Sequence, residues 1–108
     1  MIIRRSERFD IDLEQQFRWY LLRTGLDPIP ALELAERFGE AVTLTLKTLL
    51  RNPQMGRPRF VTFSSLPGIR SWRLEKPFNR FLIFYRVEGQ VIFAERILDG
   101  HRRLAGDL

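Results

Sequence analysis

Hydrophobic and polar positions along this chain change their period twice. Ile2 and Ile3, followed by Arg4 and Arg5, predict a short N-terminal strand. From Phe9 the apolar residues Phe9, Leu13, Phe17, Tyr20 and Leu21 recur at helical spacing. Ser6 is placed to cap that helix, Asp10, Asp12 and Glu14 sit near its positive end, and Thr24-Gly25 supplies the stop. Trp19, Leu22 and Leu26 widen the apolar surface and are expected to cover both a sheet and a second helix. Asp27-Pro28-Ile29-Pro30 starts that second helix, because proline is tolerated in a first turn. Leu34, Ala35, Phe38, Ala41, Val42, Leu46, Leu49 and Leu50 continue it at three-and-four spacing. Gly39 costs it about 1 kcal/mol of propensity, which a close approach of the two helices would explain. Asn52-Pro53 ends it, since a proline biases its predecessor away from helical backbone. The two helices are therefore expected to form an antiparallel hairpin.

The second half reads differently. Gly56, Pro58, Pro67 and Gly68 make residues 54–68 mainly loop, with Phe60, Val61 and Phe63 as anchors or a strand fragment. Three strands follow, over about 69–75, 80–87 and 90–98, with Glu88-Gly89 as the turn between the last two. In the middle strand Phe81, Ile83, Tyr85 and Val87 share one face, while Arg80, Leu82, Phe84 and Arg86 share the other. The wholly apolar set is expected to pack on the helices. The second face is expected to be open and is where a partner would bind. The predicted class is α+β: one domain over 1–108, with a short N-terminal strand and a helical hairpin on one face of a small antiparallel sheet.

Composition narrows the chemistry. A chain of 108 residues holds one core. It has no cysteine and one histidine, so neither a disulfide framework, a metal site nor a cofactor is expected. No apolar run is long enough to span a bilayer or serve as a secretory signal, so a soluble, cytoplasmic domain without membrane partners is expected. Charge is uneven: residues 1–50 carry 7 basic and 8 acidic side chains, and residues 51–108 carry 11 and 5. Of the basic residues 16 are arginine, which suits planar contact with carboxylate or phosphate. A basic, aromatic-bearing sheet of this kind fits an acidic protein segment or nucleic acid.

The order of several short motifs resembles the RelE/ParE superfamily of bacterial toxins, and its ParE-like branch in particular. They are Leu13 and Tyr20, the break Asn52-Pro53…Gly56, Gly68-Ile69-Arg70, the strand Phe81-Leu82-Ile83-Phe84-Tyr85-Arg86, and the ending Arg96-Ile97-Leu98-Asp99-Gly100-His101-Arg102-Arg103. The resemblance implies a curved sheet and a cognate antitoxin that wraps the toxin in a hetero-oligomer. ParE-like members inhibit DNA gyrase by protein–protein contact. RelE-like members instead cut mRNA in the ribosome, with a base, an acid and cations around the scissile phosphate.

The nuclease pattern is only partly present. Leu82 stands where such relatives carry an arginine, three residues before the strand tyrosine, here Tyr85. Ser71 replaces one member of a basic pair, and the aromatic residue expected near the C-terminus is absent. If the chain were a ribonuclease, Arg73, Arg80, His101 and Arg102 would carry it. The ending Arg-Ile-Leu-Asp-Gly is closer to the ParE-like pattern, although Asp99 stands where histidine is common. The residues expected to meet antitoxin or target are Arg70, Arg73, Arg80, Leu82, Phe84, Arg86, Arg102 and Arg103. Trp19 and Trp72 are expected in the core, Tyr85 buried with its hydroxyl satisfied, and Glu95 and Asp99 paired with arginines.

Overall fold

The computed structural model describes residues 1–61, 64 and 67–101. Its elements in order are β1 (Ile2–Arg5), α1 (Glu7–Arg23), α2 (Pro28–Arg51), β2 (Arg57–Pro58), β3 (Arg70–Arg73), β4 (Phe81–Glu88) and β5 (Val91–Asp99). They form an α+β fold in which the helical hairpin covers one face of a five-stranded sheet ordered β1-β5-β4-β3-β2. The sheet is mixed rather than wholly antiparallel, because β1 lies parallel to β5. A parallel pair needs a long crossover, and everything between these two strands provides it.

Local signals place the helices. The Ser6 hydroxyl accepts from the Phe9 N–H at 3.0 Å and donates to the Glu95 carbonyl at 2.8 Å, so one side chain both caps α1 and fastens it to β5. Gly25 takes the left-handed backbone after α1, with φ 74°. Pro28 occupies the first turn of α2. At its other end the Asn52 N–H reaches the Thr48 carbonyl before Pro53 stops the ladder. Gly39 brings the helices no closer, because a Cβ there would meet nothing within 4 Å. Trp19, Leu22 and Leu26 do not cover the sheet either; Leu22 is 75% exposed and the other two about half exposed. They sit on the outward side of α1 and in the turn after it. Trp72, by contrast, does pack against the core.

Strand parity in β4 holds. Phe81, Ile83 and Tyr85 are buried against Phe9, Phe38, Val42 and Leu49 of the helices, with Val87 packed at the margin. Phe38 is the hub of an aromatic cluster with Tyr20, Phe78 and Phe81, at ring separations of 5.4, 5.4 and 5.3 Å. Such tilted and edge-on pairs each add about 0.5–1.5 kcal/mol beyond area burial. The β4–β5 turn lies one residue later than predicted, at Gly89-Gln90, with Glu88 opposite Val91. Gly89 has φ 59° and Gln90 does not have positive φ, the type II′ pattern that suits two twisted strands.

A bulge in β5 resets its parity. Phe84 faces Arg96 but Tyr85 faces Ala94, which leaves Glu95 as the extra residue. Ala94 and Ile97 therefore both reach the helical side, an odd separation that an unbroken strand would forbid. Beyond β1 the outer edge of β5 is taken over by α1. The Asp12 carboxylate accepts from the Ile97 N–H at 3.0 Å and from the Arg96 guanidinium at 2.8 and 3.2 Å. No helix among the described residues is long and apolar enough to cross a membrane.

Candidate functional site

The sheet face away from the helices is covered at its centre. Phe84 is 1% exposed and packs with Ile69 and Leu98, with Val61 and Leu82 partly buried against them. This corrects the expectation of an open face. Val61, on the loop shortly after β2, packs on this cluster, and the Arg59 N–H donates to the Ile69 carbonyl at 2.8 Å. Phe84 is thus an internal residue. Phe60 on the same loop points out and is 87% exposed, and Phe63 lies outside the described residues.

The predicted arginines are dispersed. Arg70 turns to the helical side, where its Nη1 donates to the Gln54 and Gly56 carbonyls at 3.2 and 2.8 Å and holds the loop after α2. Arg86 is spread over the Phe93 ring at 4.1 Å, with its Nε donating to Glu95 at 3.0 Å and its Nη1 paired with Glu88. Arg80 donates two hydrogen bonds to Asp99, at 3.2 and 2.6 Å. Arg73 is exposed, lies opposite Leu82 across the β3–β4 ladder, and rests its guanidinium 4.6 Å from the Trp72 ring centre. His101 follows the end of β5, exposed, with its backbone N–H donating to Asp99. Arg102 and Arg103 lie outside the described residues. Arg80 and His101 meet at Asp99, through a guanidinium and a backbone N–H, and that carboxylate occupies the cation that strand scission would require.

The pairing of Asp99 with Arg80 gives the departure at position 99 a physical reason. Partial burial alone would push the Asp99 carboxyl up. The Arg80 hydrogen bond, the His101 N–H and the charges of Arg80 and His101 together outweigh it and hold the group below its usual value. Gly100 is equally constrained. Its N–H donates to the Arg80 carbonyl at 2.6 Å, and a Cβ would lie 2.8 Å from that oxygen and 3.2 Å from Leu82. Leu82, partly buried, thus packs beside Gly100, Leu98 and Phe84.

Tyr85 is buried with both hydroxyl functions used. It donates to the Pro53 carbonyl at 2.7 Å and accepts from the Gly56 N–H at 2.9 Å. Burial pushes its pKa up, against the Gly56 hydrogen bond and the charge of Arg70. The motifs Asn52-Pro53…Gly56, Arg70 and Tyr85 therefore form one connected unit, and its role is structural.

The structure also holds a groove that periodicity did not reveal. A cleft of about 670 Å³ runs between α1 and the end of β5. Arg8, Asp12, Gln15 and Trp19 form one wall, and Arg80, Arg96 and Asp99 line the other side. The legible signal is the helical spacing that puts Trp19 on a stripe with Arg8, Asp12 and Gln15, away from the Phe9–Leu13 face. The described residues contain no cluster of three or more His, Asp or Glu able to hold a metal ion.

Comparison with known proteins agrees with this architecture. The family model described as the ParE toxin of type II toxin-antitoxin system, parDE, matches residues 3–104. A chain from the solved structure "Chromosomal ParDE TA system from P. aeruginosa" is similar, with TM-score 0.63 and 26% sequence identity over 90% of this chain and 92% of that one. No curated protein matches. The chain belongs to the ParE toxin family of type II toxin–antitoxin systems.

Proposed function

We propose that this toxin acts in the cytoplasm by inhibiting DNA gyrase through protein–protein contact, and that a cognate antitoxin neutralises it in a hetero-oligomer. The observation carrying this reading is the surroundings of Leu82. The position that would need a phosphate-gripping cation in an mRNA-cleaving relative is filled by a leucine packed on Phe84 and Leu98. The candidate to replace it on the same strand, Arg80, is bound by Asp99, and Arg73, opposite Leu82 on β3, lies over the Trp72 ring. In this reading the antitoxin sits in the groove beside α1, where half-exposed Trp19 offers an aromatic anchor.

The test is induction of the chain alone, with DNA damage and translation followed separately. Trapped gyrase–DNA adducts, inhibition of purified gyrase in a supercoiling assay, and relief by a small protein encoded next to the toxin gene are expected. Cutting of mRNA in ribosomal A sites, abolished by His101→Ala, would overturn the reading in favour of ribosome-dependent ribonuclease activity.

A further inference from the structure

Acidic side chains are absent from the whole stretch between Glu40 and Glu75, which carries Lys47, Arg51, Arg57, Arg59, Arg70 and Arg73. The fold gathers three of these at one edge of the sheet. Arg57 pairs with Ser71 across the β2–β3 ladder, and Arg73 is two residues beyond Ser71 on the same face, about 6–7 Å along the strand. The Arg59 Nε donates to the Ser71 hydroxyl at 2.9 Å, which fixes a third guanidinium beside them. Five arginines elsewhere are matched with carboxylates: Arg5, Arg18, Arg80 and Arg96 with one each, and Arg86 with two. Among the described residues Arg57, Arg59 and Arg73 meet none. Next to this patch stands Phe60, the most exposed large apolar side chain described, at 87%.

We propose that the β2–β3 edge binds single-stranded nucleic acid, with phosphates on Arg57, Arg59 and Arg73 and an unpaired base on the Phe60 ring. Charge complementarity calls for a polyanion. Two features favour nucleic acid over an acidic peptide. β2 is only two residues long and one of them is Pro58, so the edge is a poor template for adding a peptide strand. An isolated, solvated aromatic face among arginines is the arrangement on which bases stack without sequence preference. The face behind the patch is apolar at Leu82 and Phe84, so the site holds a strand without cutting it. This inference is independent of the gyrase reading and stands or falls by itself.

The experiment is fluorescence anisotropy of the purified toxin with a labelled oligothymidine and with a duplex of equal length, over a range of salt. The single strand should bind more tightly. The logarithm of affinity should fall with that of salt at about −0.7 per phosphate, so about −2 for three contacts. Arg57→Gln and Arg73→Gln should each lower the slope by about 0.7, while Arg23→Gln at the far end of α1 should not. Phe60→Ala should weaken binding roughly 5- to 150-fold at unchanged slope, the range for one stacked base. Because Phe60 is solvated, that variant should melt at the parent temperature. Equal binding of duplex, indifference to Phe60→Ala, or displacement of the oligonucleotide by polyglutamate of equal charge would overturn the proposal, the last by assigning the edge to an acidic protein segment.

Discussion

The hydroxyl of Tyr85 accepts the backbone N–H of Gly56 at 2.9 Å, so closely that a Cβ on Gly56 would lie 2.4 Å from that oxygen and 2.7 Å from the ring. Because Tyr85 is wholly buried, the ring cannot swing aside. Gly56→Ala should therefore destabilise the fold by about 3 kcal/mol through overpacking. Tyr85→Phe should cost about 1–3 kcal/mol by leaving the Gly56 N–H and the Pro53 carbonyl without their partner. Combining the two should restore little, since the ring carbons still collide. Urea denaturation of the three variants checks the order.

Asp12 joins α1 to β5 with a side chain that is 7% exposed. Asp12→Ala should cost roughly 1–3 kcal/mol, because it removes the acceptor of the Ile97 N–H and a carboxylate that pairs with the Arg96 guanidinium. Asp12→Asn keeps an acceptor for the Ile97 N–H and should lose less. Glu14→Ala, which removes only the exposed pair with Arg18, should lose about 0.3–0.5 kcal/mol. Equal losses for Asp12→Ala and Glu14→Ala would show that α1 is not held through this carboxylate.

Stability should fall in both acid and alkali, for different residues. Asp99 has its folded pKa depressed below 3.8, so the stability it contributes is present above that value and lost as the pH drops through the depressed one. Arg80 is 53% exposed, so solvent screening keeps the contribution small. The difference in unfolding free energy between the parent and Asp99→Asn should close in that acid window. Tyr20 and Tyr85 have pKa values raised above 10.0, in both cases chiefly by burial. Their contribution is complete below 10.0 and disappears as the pH rises through the raised values.

Leu82→Arg would place a cation where an RNA-cleaving relative holds one. It should destabilise the protein by roughly 1–3 kcal/mol, because the new charge displaces a side chain packed on Phe84 and Leu98. It should not produce ribosome-dependent mRNA cleavage, and His101→Ala should leave growth arrest unchanged. A toeprint assay on ribosomes incubated with each variant reads the outcome directly.

Local rules made much of the fold legible from residue order. The repeat from Phe9 to Tyr20, the Ser6 cap and the Asn52-Pro53 stop act within a few residues of each other, and each operates in the structure as expected. Alternation in β4 likewise separated Ile83 and Tyr85 from Leu82 and Phe84, and it pointed to Tyr85 as a buried, satisfied hydroxyl. What alternation cannot state is what lies against each face. Phe84 is internal because Val61 and Ile69, from before β3, pack over it with Leu98, and Trp19 is half exposed because the stripe it shares with Arg8 and Asp12 borders a cleft. The parallel seat of β1 and the Glu95 bulge are also beyond periodicity, since both are set by pairing with distant strands. The arginines show the division most clearly. Residue order identified them as guanidiniums without deciding their partners. Arg96 meets a carboxylate 84 positions away and Arg80 one 19 positions away, while Arg57 and Arg73 meet none among the described residues. A long charged side chain takes whichever carboxylate the tertiary fold brings within reach, so only that fold decides which cations are left for a partner.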